Sequence, residues 1–332
     1  WSDSKVSNIG CRQRDSKMTK KKILFIANDI QKLLPKIDTT VFLIQQAWVE
    51  KYEVWFCTLE DLGINTSNEL IFYVNANKLM PGSSHNWFEK TKLTKVNLLS
   101  FSAIIVRTDP PFNQQYLLGM NLLDFVTEKG VKVVNSPESL RKFNEKLYAL
   151  RFPDHIPSTL ISSNKKEIIE FLKSKNQVVL KPLNLMGGQG IFLISNGDSN
   201  LNVIIDSITN KGRDKIVSQE FLENIKEGDK RIIIINGIVE RFALCRKPKK
   251  QSIIANLAGG GTASVVKLNQ EELEIARIIA DGIKKDVFFA GLDMIDKKIT
   301  EINITSPTGM RQIAEHKSSH LGSFFYDQLM KI

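Results

Sequence analysis

Residues 288–305, with the sequence FFAGLDMIDKKITEINIT, alternate between apolar and polar side chains in two short runs joined around Asp296. Side chains that alternate with a period of two lie on opposite faces of a β-strand, so the segment is predicted to be a β-hairpin. One face of the hairpin carries Asp293, Glu301 and Asn303. The other face is apolar and is expected to pack against the protein; it consists of Leu292, Met294, Ile302 and Ile304.

The polar face of this hairpin carries two acidic side chains at facing positions. When Ile295 is placed opposite Ile299, Asp293 lies directly across from Glu301. Two carboxylates that face each other repel, and a bound cation relieves the repulsion. Three oxygen-bearing side chains suit a hard cation such as Mg²⁺, which commonly keeps phosphates and waters as its other ligands. The alternative is that this face is the solvent-exposed side of an edge hairpin.

Lys181 lies in the apolar run VVLKPL, shortly before a glycine-rich turn, Gly187-Gly188-Gln189-Gly190. Backbone N–H groups in such a turn can approach phosphate closely, because glycine has no side chain to block them. The turn is not a Walker A loop, since neither Gly-Lys-Ser nor Gly-Lys-Thr follows. Lysine is seldom placed in a buried strand without a partner, which favours a phosphate site. The alternative is a flexible hairpin tip.

Two arginines occupy positions at which charged side chains bind ligands. Arg231 begins a strongly apolar strand and is a candidate for bidentate contact with phosphate. The alternative is a solvated charge cluster at the start of a strand. Arg107 lies at the carboxyl end of the apolar run SAIIVR, and open α/β sheets bind ligands at that end. The alternative there is a plain turn, because two prolines follow closely.

Strand and helix patterns alternate in the first half of the chain. The runs ILFIAN, YEVWFCT, SAIIVR and VKVVN are predicted to be strands. Asp38 is the predicted N-cap of a helix, and two more helices are predicted over 114–129 and 136–152. This order predicts an α/β arrangement, in which helices cover a mostly parallel sheet.

From about residue 156 onward the pattern changes to α+β. Short strands and helices alternate up to the run IVSQEFL, and an antiparallel pair follows, with its turn at Asn236-Gly237. A helix over 270–285, the acidic hairpin and a terminal helix complete the chain. The fold class is therefore predicted to be α/β followed by α+β.

The charge of the chain is unevenly distributed. Its formal net charge is +10, and seven Lys or Arg against two acids in residues 1–22 supply +5 of it. This polar stretch has no periodicity, and we interpret residues 1–20 as a disordered leader or a tag, with Met18 as a plausible natural start. The remaining excess suits anionic small molecules such as nucleotides, so no nucleic-acid partner is predicted.

Composition and cysteine usage indicate a globular protein of a reducing compartment. Hydrophobic residues make up 42% of the chain and charged residues 25%, which is ordinary for a globular domain. No apolar run approaches the roughly 18 residues that span a bilayer, so no membrane partner is predicted. The cysteines are odd in number and far apart, which favours the cytoplasm; they are Cys11, Cys57 and Cys245.

Taken together, these motifs resemble the ATP-grasp superfamily and specifically bacterial-type glutathione synthetases, from about Lys22 onward. The resemblance rests on IVRTDPPF, NSPESLRKFNEKLYALRF, VVLKPLNLMGGQGIF, EGDKRIIIINGIVE, NLAGGG, GLDMI and TEINITSPTGMRQI. It implies an ATP-grasp fold with a Rossmann-like substrate domain at 21–142. A central lid domain would follow at 143–220, and a C-terminal domain with the metal site at 221–332.

The resemblance also implies which residues bind ATP and metal. Lys146 and Lys181 would contact the phosphates beneath the loop of Gly187, Gly188, Gln189 and Gly190. Lys181 and Arg231 would be the catalytic residues, and Asp229 would approach the ribose. The hinge that holds the adenine would consist of Gln219, Glu220, Phe221 and Leu222. Mg²⁺, with Mn²⁺ as the alternative, would be held by Asp293, Glu301 and Asn303.

The family's reaction implies the small-molecule partners. A carboxylate attacks the γ-phosphate of ATP to give an acyl phosphate, and an amine then displaces phosphate to form an amide. The carboxylate would belong to the cysteine of γ-glutamylcysteine, and the amine would be glycine. Family members commonly assemble as homo-oligomers, so a homo-oligomer is expected. The residues toward the peptide substrate would be Arg107, Asp38, Thr39, Asn256 and Arg311.

Two places depart from the family's pattern. The family usually has an arginine two residues before the asparagine of its NLAxGG segment, and this chain has Ile254 there. Losing one preorganised cation costs roughly 10²–10³ in rate, and we hypothesise that Lys249 or Lys250 replaces it. Asn28-Asp29 also stands where the family has Asp-Pro. A related peptide ligase with another acceptor amine therefore stays open, as does a degenerate nucleotide-binding protein.

Overall fold

The computed structural model describes residues 20–67, 69–83, 86–109, 111–185, 188–248, 262–317 and 320–332. Some of the predictions lie outside the described residues; they concern 1–19, Gly187, Lys249, Lys250, Ile254 and Asn256. In the part of the chain that is described, no helix is long and apolar enough to cross a membrane.

Eight of the described strands form the first sheet. Its parallel centre consists, in spatial order, of β2 (Glu53–Cys57), β1 (Lys22–Ala27), β7 (Ala103–Arg107) and β8 (Lys132–Val134). An antiparallel extension adjoins β2 and consists of β3 (Leu62–Asn65), β4 (Ile71–Pro81), β5 (Phe88–Lys90) and β6 (Thr94–Asn97). The predicted parallel sheet is confirmed at this centre. Its strands all end at one edge, where Arg107 lies.

The helices of this first unit begin at side-chain caps. Asp38 accepts hydrogen bonds from the backbone N–H groups of Thr40 and Val41, at 2.6 and 3.3 Å, and starts α1 (Thr39–Val49) as predicted. Helix α2 (Gln114–Glu128) follows. The single helix predicted over 136–152 is wrong. Asn144 caps a new helix, so the segment divides into α3 (Pro137–Lys142) and α4 (Glu145–Tyr148), followed by a 3₁₀ turn.

The second sheet has four described strands, in the order β11-β10-β12-β9. They are β9 (Thr159–Ser162), β10 (Gln177–Pro182), β11 (Phe192–Ser195) and β12 (Ile216–Glu220). Two helices, α5 (Lys165–Lys175) and α6 (Leu201–Ile208), cover it. This unit has a small core of its own, which includes Ile168, Leu172, Val178, Leu180, Ile194, Ile205 and Ile216.

The third sheet has five described strands, in the order β15-β14-β13-β16-β17. They are β13 (Asp229–Ile235), β14 (Ile238–Lys247), β15 (Thr262–Lys267), β16 (Phe289–Ile295) and β17 (Lys298–Asn303). Helix α7 (Gln270–Ile283) packs on β14. The terminal helix predicted from about residue 318 is α9 (Leu321–Lys331), and a helix that was not predicted, α8 (Met310–Lys317), precedes it. The turn predicted at Asn236-Gly237 is confirmed, with φ angles of 50° and 74°.

The acidic hairpin, β16 and β17, has the predicted pairing at its centre but not at its turn. Asp293 pairs with Glu301, as predicted. Ile295 pairs with Lys298 and not with Ile299, because Asp296 and Lys297 alone form the turn, with φ angles of 45° and 63°. A bulge between Asp293 and Met294 absorbs the one-residue difference.

The first and third sheets are joined by shared cores and by one buried amide. The two larger apolar clusters each contain residues of both sheets. Asn135, which follows β8 and is 4% exposed, donates to the carbonyls of Phe289 and Ile304, at 2.7 and 2.6 Å. It also accepts from the N–H groups of Phe288 and Phe289, at 3.0 and 2.8 Å. These bonds place the acidic hairpin against the edge of the first sheet at which its parallel strands end. Because each predicted range contains one sheet, we propose 21–142, 143–220 and 221–332 as three domains.

Candidate active site

Asp293 lies at the centre of a buried ion cluster. Arg231 is its register partner on β13 and binds both carboxylate oxygens, Nε to Oδ1 at 2.6 Å and Nη2 to Oδ2 at 3.0 Å. The two residues are only 5% and 6% exposed. Burial by itself would raise the pKa of Asp293, but the charges of Arg231 and Arg246 hold it well below its ordinary value. Asp293 is therefore ionised and held in one orientation.

Arg246 on β14 is a site residue that the sequence did not reveal. Its Nη2 lies 2.5 Å from Asp229 Oδ2 and 2.8 Å from Asp293 Oδ1. Burial raises the pKa of Asp229 despite the opposing charge of Arg246, and the charge of Asp293 adds to the rise. The available signal was an arginine in the apolar strand FALCR. The partner of Arg246 could not be predicted by counting from the turn at Asn236-Gly237. That count would place Leu244 opposite Asp229, but a register shift between β13 and β14 places Arg246 there.

Arg231 is held between two glycines. A Cβ at Gly291 would lie 2.8 Å from Arg231 Cδ, and a Cβ at Gly309 would lie 3.2 Å from Arg231 Cγ. Gly309 also has a φ of +99°, which side chains rarely adopt. Beyond these glycines, Arg231 Nη1 donates to Thr308 Oγ1 at 3.2 Å. The aliphatic part of the Arg231 side chain therefore occupies space that a side chain at either glycine would fill.

The predicted metal ligands are brought together on one face of the acidic hairpin. Asn303 Nδ2 donates to Asp293 Oδ2 at 3.2 Å, and Glu301 is the strand partner of Asp293. Glu301 is half-buried, and its Oε1 lies 3.4 Å from Lys146 Nζ. Carboxylate and amide oxygens are the donors that hard divalent cations take, so the residue types fit the predicted ion.

An ion that binds Asp293 has to displace one of the groups that already contact its carboxylate. Oδ1 accepts from Arg231 Nε and lies 2.8 Å from Arg246 Nη2, while Oδ2 accepts from Arg231 Nη2 and from Asn303 Nδ2. The Asn303 contact is the longest, and rotating that amide turns its oxygen toward a cation. Within the described residues, no group of three or more His, Cys, Asp or Glu forms a metal site by itself. A hard divalent ion bound here would take its remaining ligands from phosphate oxygens and water.

The two predicted phosphate lysines lie beside this cluster. Lys146 Nζ donates to the carbonyl of Leu185 at 2.7 Å, on the segment that leads into the glycine-rich turn. Lys181 Nζ donates to Gln219 Oε1 at 2.8 Å. Burial lowers the pKa of Lys181, and Glu301 is the strongest of the charges that oppose this shift. Both ammonium groups thus lie near the carboxylates that face the predicted metal.

The glycine-rich turn and the predicted hinge flank Lys181. Gly188 and Gly190 have φ angles of 86° and 67°, and a Cβ at Gly190 would lie 2.9 Å from Pro182 Cγ. Gln189 is exposed between these two glycines. In the hinge, Gln219 is buried, while the three residues after it are half-buried: Glu220, Phe221 and Leu222. Asp229, which was predicted to approach the ribose, pairs with Arg246.

The predicted substrate residues lie around Arg107, at the edge of the first sheet. Arg107 Nε donates to Thr40 Oγ1 at 3.1 Å, and Nη2 donates to the carbonyl of Pro307 at 2.8 Å. Its Nη1 and the Oγ1 of Thr39 are buried and have no hydrogen-bond partner among the described residues. Asp38 caps α1 beside them. Pro307 is adjacent to Thr308, which binds Arg231, so one short segment joins Arg107 to the ion cluster.

Arg311 is less directly connected to this group. On α8, its Nη1 donates to Gln45 at 3.0 Å, and its Nε lies 2.8 Å from Glu315. The first contact ties α8 to α1, and the second lies within α8. Neither contact joins Arg311 to the described residues around Arg107.

The three sheets and the cluster between them define an ATP-grasp protein. The chain aligns with the solved structure of the D-cycloserine synthetase DcsG at a TM-score of 0.65 and 12% identity, over 93% of this chain and 99% of that one. It aligns with a RiPP-associated ATP-grasp ligase of Chryseobacterium gregarium at a TM-score of 0.59 and 14% identity, over 93% and 95%. At such identities the likeness shows the fold alone.

Sequence comparison places the chain within one family of that class. The family model for the N-terminal domain of prokaryotic glutathione synthetase matches residues 22–141, and the model for its ATP-grasp domain matches 145–318. The glutathione synthetase of Nitrosomonas europaea is 35% identical over 311 residues, 93% of this chain and 97% of the relative. That of Synechococcus elongatus is 37% identical over 301 residues, 88% and 93%. The chain belongs to the prokaryotic glutathione synthetase family, which confirms the predicted resemblance.

Proposed function

We propose that this protein joins γ-glutamylcysteine to glycine to form glutathione, converting ATP to ADP and phosphate. Membership in the prokaryotic glutathione synthetase family makes it an ATP-dependent ligase that works with a divalent metal ion. The structural observation that carries the proposal is that Arg231 and Arg246 both form ion pairs with Asp293. A binding-only protein has little need for two buried arginines on the carboxylate that faces its nucleotide.

The charges of the site suit a polyphosphate. Four cations stand against three carboxylates: Lys146, Lys181, Arg231 and Arg246 against Asp229, Asp293 and Glu301. A divalent ion increases the positive excess, and ATP neutralises it. In phosphoryl transfer most of the catalysis comes from positioning and charge neutralisation. We propose that the two lysines bind phosphate oxygens and that Arg231 stabilises the charge that develops on the transferred group.

We propose that the ion is Mg²⁺, with Mn²⁺ as the alternative, held by Asp293, Glu301 and Asn303. The bound ion would bridge phosphate oxygens and neutralise their charge. The residues themselves prepare that position. Arg231 keeps Asp293 ionised and oriented, and Asn303 exchanges its amide hydrogen bond for a contact through its oxygen.

The acyl phosphate has to be protected from water until the amine arrives. The segment after β10 is docked on α4 by two contacts, Asn144 Nδ2 to the carbonyl of Leu183 at 2.9 Å and Lys146 Nζ to that of Leu185 at 2.7 Å. We propose that the glycine-rich turn of Gly188, Gln189 and Gly190 closes over the phosphates from this anchored segment. Asp229 and the hinge from Gln219 to Leu222 would hold the nucleoside.

We propose that the peptide substrate lies between Arg107 and Arg231. The buried Arg107 Nη1 and Thr39 Oγ1 lack partners among the described residues, and a substrate carboxylate would supply the acceptor. Asp38 would line the same region, and Arg311 would border it.

Assembly and location belong to the proposal as well. We propose a homo-oligomer, supported by three exposed apolar side chains on α2, which are Leu117, Leu118 and Phe125. We propose the cytoplasm, supported by the buried free thiols of Cys57 and Cys245. Light scattering of the purified protein tests the first point, since a monomer at micromolar concentration contradicts it.

ADP release tests the proposed reaction. With γ-glutamylcysteine, ATP and Mg²⁺, we expect rapid ADP formation only when glycine is added, with one glutathione per ADP. Turnover with a different amino acid and not with glycine would indicate a ligase for another acceptor amine. Nucleotide binding without ADP formation under any amine would contradict a ligase altogether.

A further inference from the structure

Three strands of the second sheet contribute one side chain each to a chain of hydrogen bonds. Lys181 on β10 donates to Gln219 Oε1 on β12 at 2.8 Å. Gln219 Nε2 donates to Thr159 Oγ1 on β9 at 3.1 Å, and the Thr159 hydroxyl donates to the carbonyl of Pro157 at 2.8 Å. Thr159 is the register partner of Gln219, and Lys181 is its diagonal neighbour on the other side.

The direction of this chain of bonds is determined by its far end. The Pro157 carbonyl can only accept a hydrogen bond, so the Thr159 hydroxyl gives its hydrogen there and accepts from Gln219. The NH₂ group of Gln219 therefore faces Thr159, and its oxygen faces the ammonium of Lys181. The opposite orientation would direct an NH₂ group at an ammonium, and both are donors.

The result is a lysine that is oriented but not neutralised. Among the described residues, Lys181 gives one of its three N–H groups to a neutral amide oxygen, which leaves two for a ligand. A carboxylate at position 219 would hold the lysine equally well, but it would cancel its charge. The amide thus secures the position of the ammonium and leaves its attraction for phosphate intact.

We propose that Gln219 and Thr159 are positioning residues that hold Lys181 for the nucleotide phosphates. This inference rests on the proposed role of Lys181 in ATP binding. It gives the Gln219 side chain a task distinct from the adenine hinge, whose backbone runs on through Glu220, Phe221 and Leu222. Thr159 acts only through Gln219 and touches no ligand.

A double-mutant cycle on nucleotide binding tests the proposal. ATP affinity is measured by calorimetry in wild type, Thr159→Val, Lys181→Met and the double variant, in the full-length protein. We expect Thr159→Val to weaken ATP binding about 3- to 10-fold and Thr159→Ser to restore it. In the Lys181→Met background, Thr159→Val should change the affinity less than 2-fold, because the group that it positions is gone. An equal loss in both backgrounds would overturn the proposal.

Two further variants separate positioning from general folding effects. Thr209→Val removes a buried hydroxyl at the C-cap of α6 in the same unit, where it donates to the carbonyl of Ile205. It should lower the thermal midpoint and leave ATP affinity unchanged. Gln219→Glu should fold and weaken ATP binding about 10- to 100-fold, since it neutralises Lys181; wild-type affinity in this variant would also contradict the proposal. All of these experiments measure ATP binding and not turnover. Their outcome is therefore independent of whether γ-glutamylcysteine and glycine are the substrates.

Discussion

Arg231 holds Asp293 through two parallel hydrogen bonds, Nε to Oδ1 at 2.6 Å and Nη2 to Oδ2 at 3.0 Å. Only the planar fork of a guanidinium can make both bonds. Arg231→Lys should therefore fold but lose about 10²–10³ in kcat. Steady-state ADP release at saturating substrates measures the loss. Arg141→Lys, at a half-buried pair with Asp124 away from this cluster, is the matched control and should keep wild-type turnover.

Gly291 leaves no room for a side chain beside Arg231. In Gly291→Ala the new Cβ would lie 2.8 Å from Arg231 Cδ and 3.1 Å from Pro307 Cβ, so the arginine has to shift. We expect turnover to fall at least 10-fold, with about 1–3 kcal/mol lost in stability. Gly119→Ala is the control, because its Cβ would also meet a side-chain atom at 2.8 Å, on Leu59, away from the site. If both variants lose turnover equally, the displacement of Arg231 by the new side chain is not the cause.

Asn135 is the amide that joins the acidic hairpin to the first sheet. Asn135→Asp keeps its shape and its acceptor but removes both donors, so two buried carbonyls, Phe289 O and Ile304 O, would face a carboxylate. Each unsatisfied buried group costs about 1–3 kcal/mol, and we expect a loss of at least about 2 kcal/mol in the free energy of unfolding. Urea denaturation measures it. A loss below 0.5 kcal/mol, on the order of a surface substitution, would contradict the assigned role.

Glu145 contributes a pH dependence to stability. Burial raises its pKa, and the charge of Glu301 adds to the rise, although Thr305 and Ile304 donate to its carboxylate. The folded protein then binds a proton more tightly than the unfolded chain, so this contribution is present at low pH. It is lost as the pH rises from the ordinary glutamate pKa through the raised one.

Glu145→Gln isolates that contribution. The amide keeps an oxygen for the N–H groups of Ile304 and Thr305, which Glu145 binds at 2.9 and 3.0 Å, and carries no charge. The variant should gain stability relative to wild type as the pH rises from about 4.3 and then reach a plateau. Unfolding free energies of both proteins across this range test the sign; a difference that shrinks with rising pH would contradict the raised pKa.

Glu301 should control the metal requirement. Glu301→Gln removes one of the two carboxylates of the predicted ligand set and frees Lys146, whose Nζ lies 3.4 Å away. We expect the Mg²⁺ concentration for half-maximal turnover to rise about 10- to 100-fold, similar to other losses at metal sites. Glu271→Gln, at the exposed pair with Lys297, is the control and should leave the Mg²⁺ dependence unchanged.

Much of the site was predictable because strand faces are a local property. Asp293, Glu301 and Asn303 share a face through alternation alone, and the structure brings them together. The pairing nearest the turn was not predictable in the same way, since Ile295 pairs with Lys298. Whether a hairpin closes with two turn residues and a bulge, or with a longer loop, depends on the packing of its apolar face.

The pairing of Arg246 with Asp229 could not be predicted from the sequence. Continuing the pairing of Ile235 with Ile238 would put Leu244 opposite Asp229, but a shift of two positions puts Arg246 there. Such a shift leaves every side chain on its original face, so the alternation of the sequence carries no trace of it. The broken helix at Asn144 is a similar case, since a side-chain cap replaced the helical hydrogen bonds that periodicity predicted.

The sequence by itself determined the family, the alternation of strands and helices and the polar face of the acidic hairpin, because these follow from backbone periodicity and from ordered motifs. Only the tertiary structure decided which charges meet. The decisive contacts join segments that are far apart in the chain: Arg231 and Arg246 with Asp293, Gln219 with Lys181, and Asn135 with the acidic hairpin. Their geometry depends on register shifts and on the packing of whole sheets, which no local pattern of residues encodes.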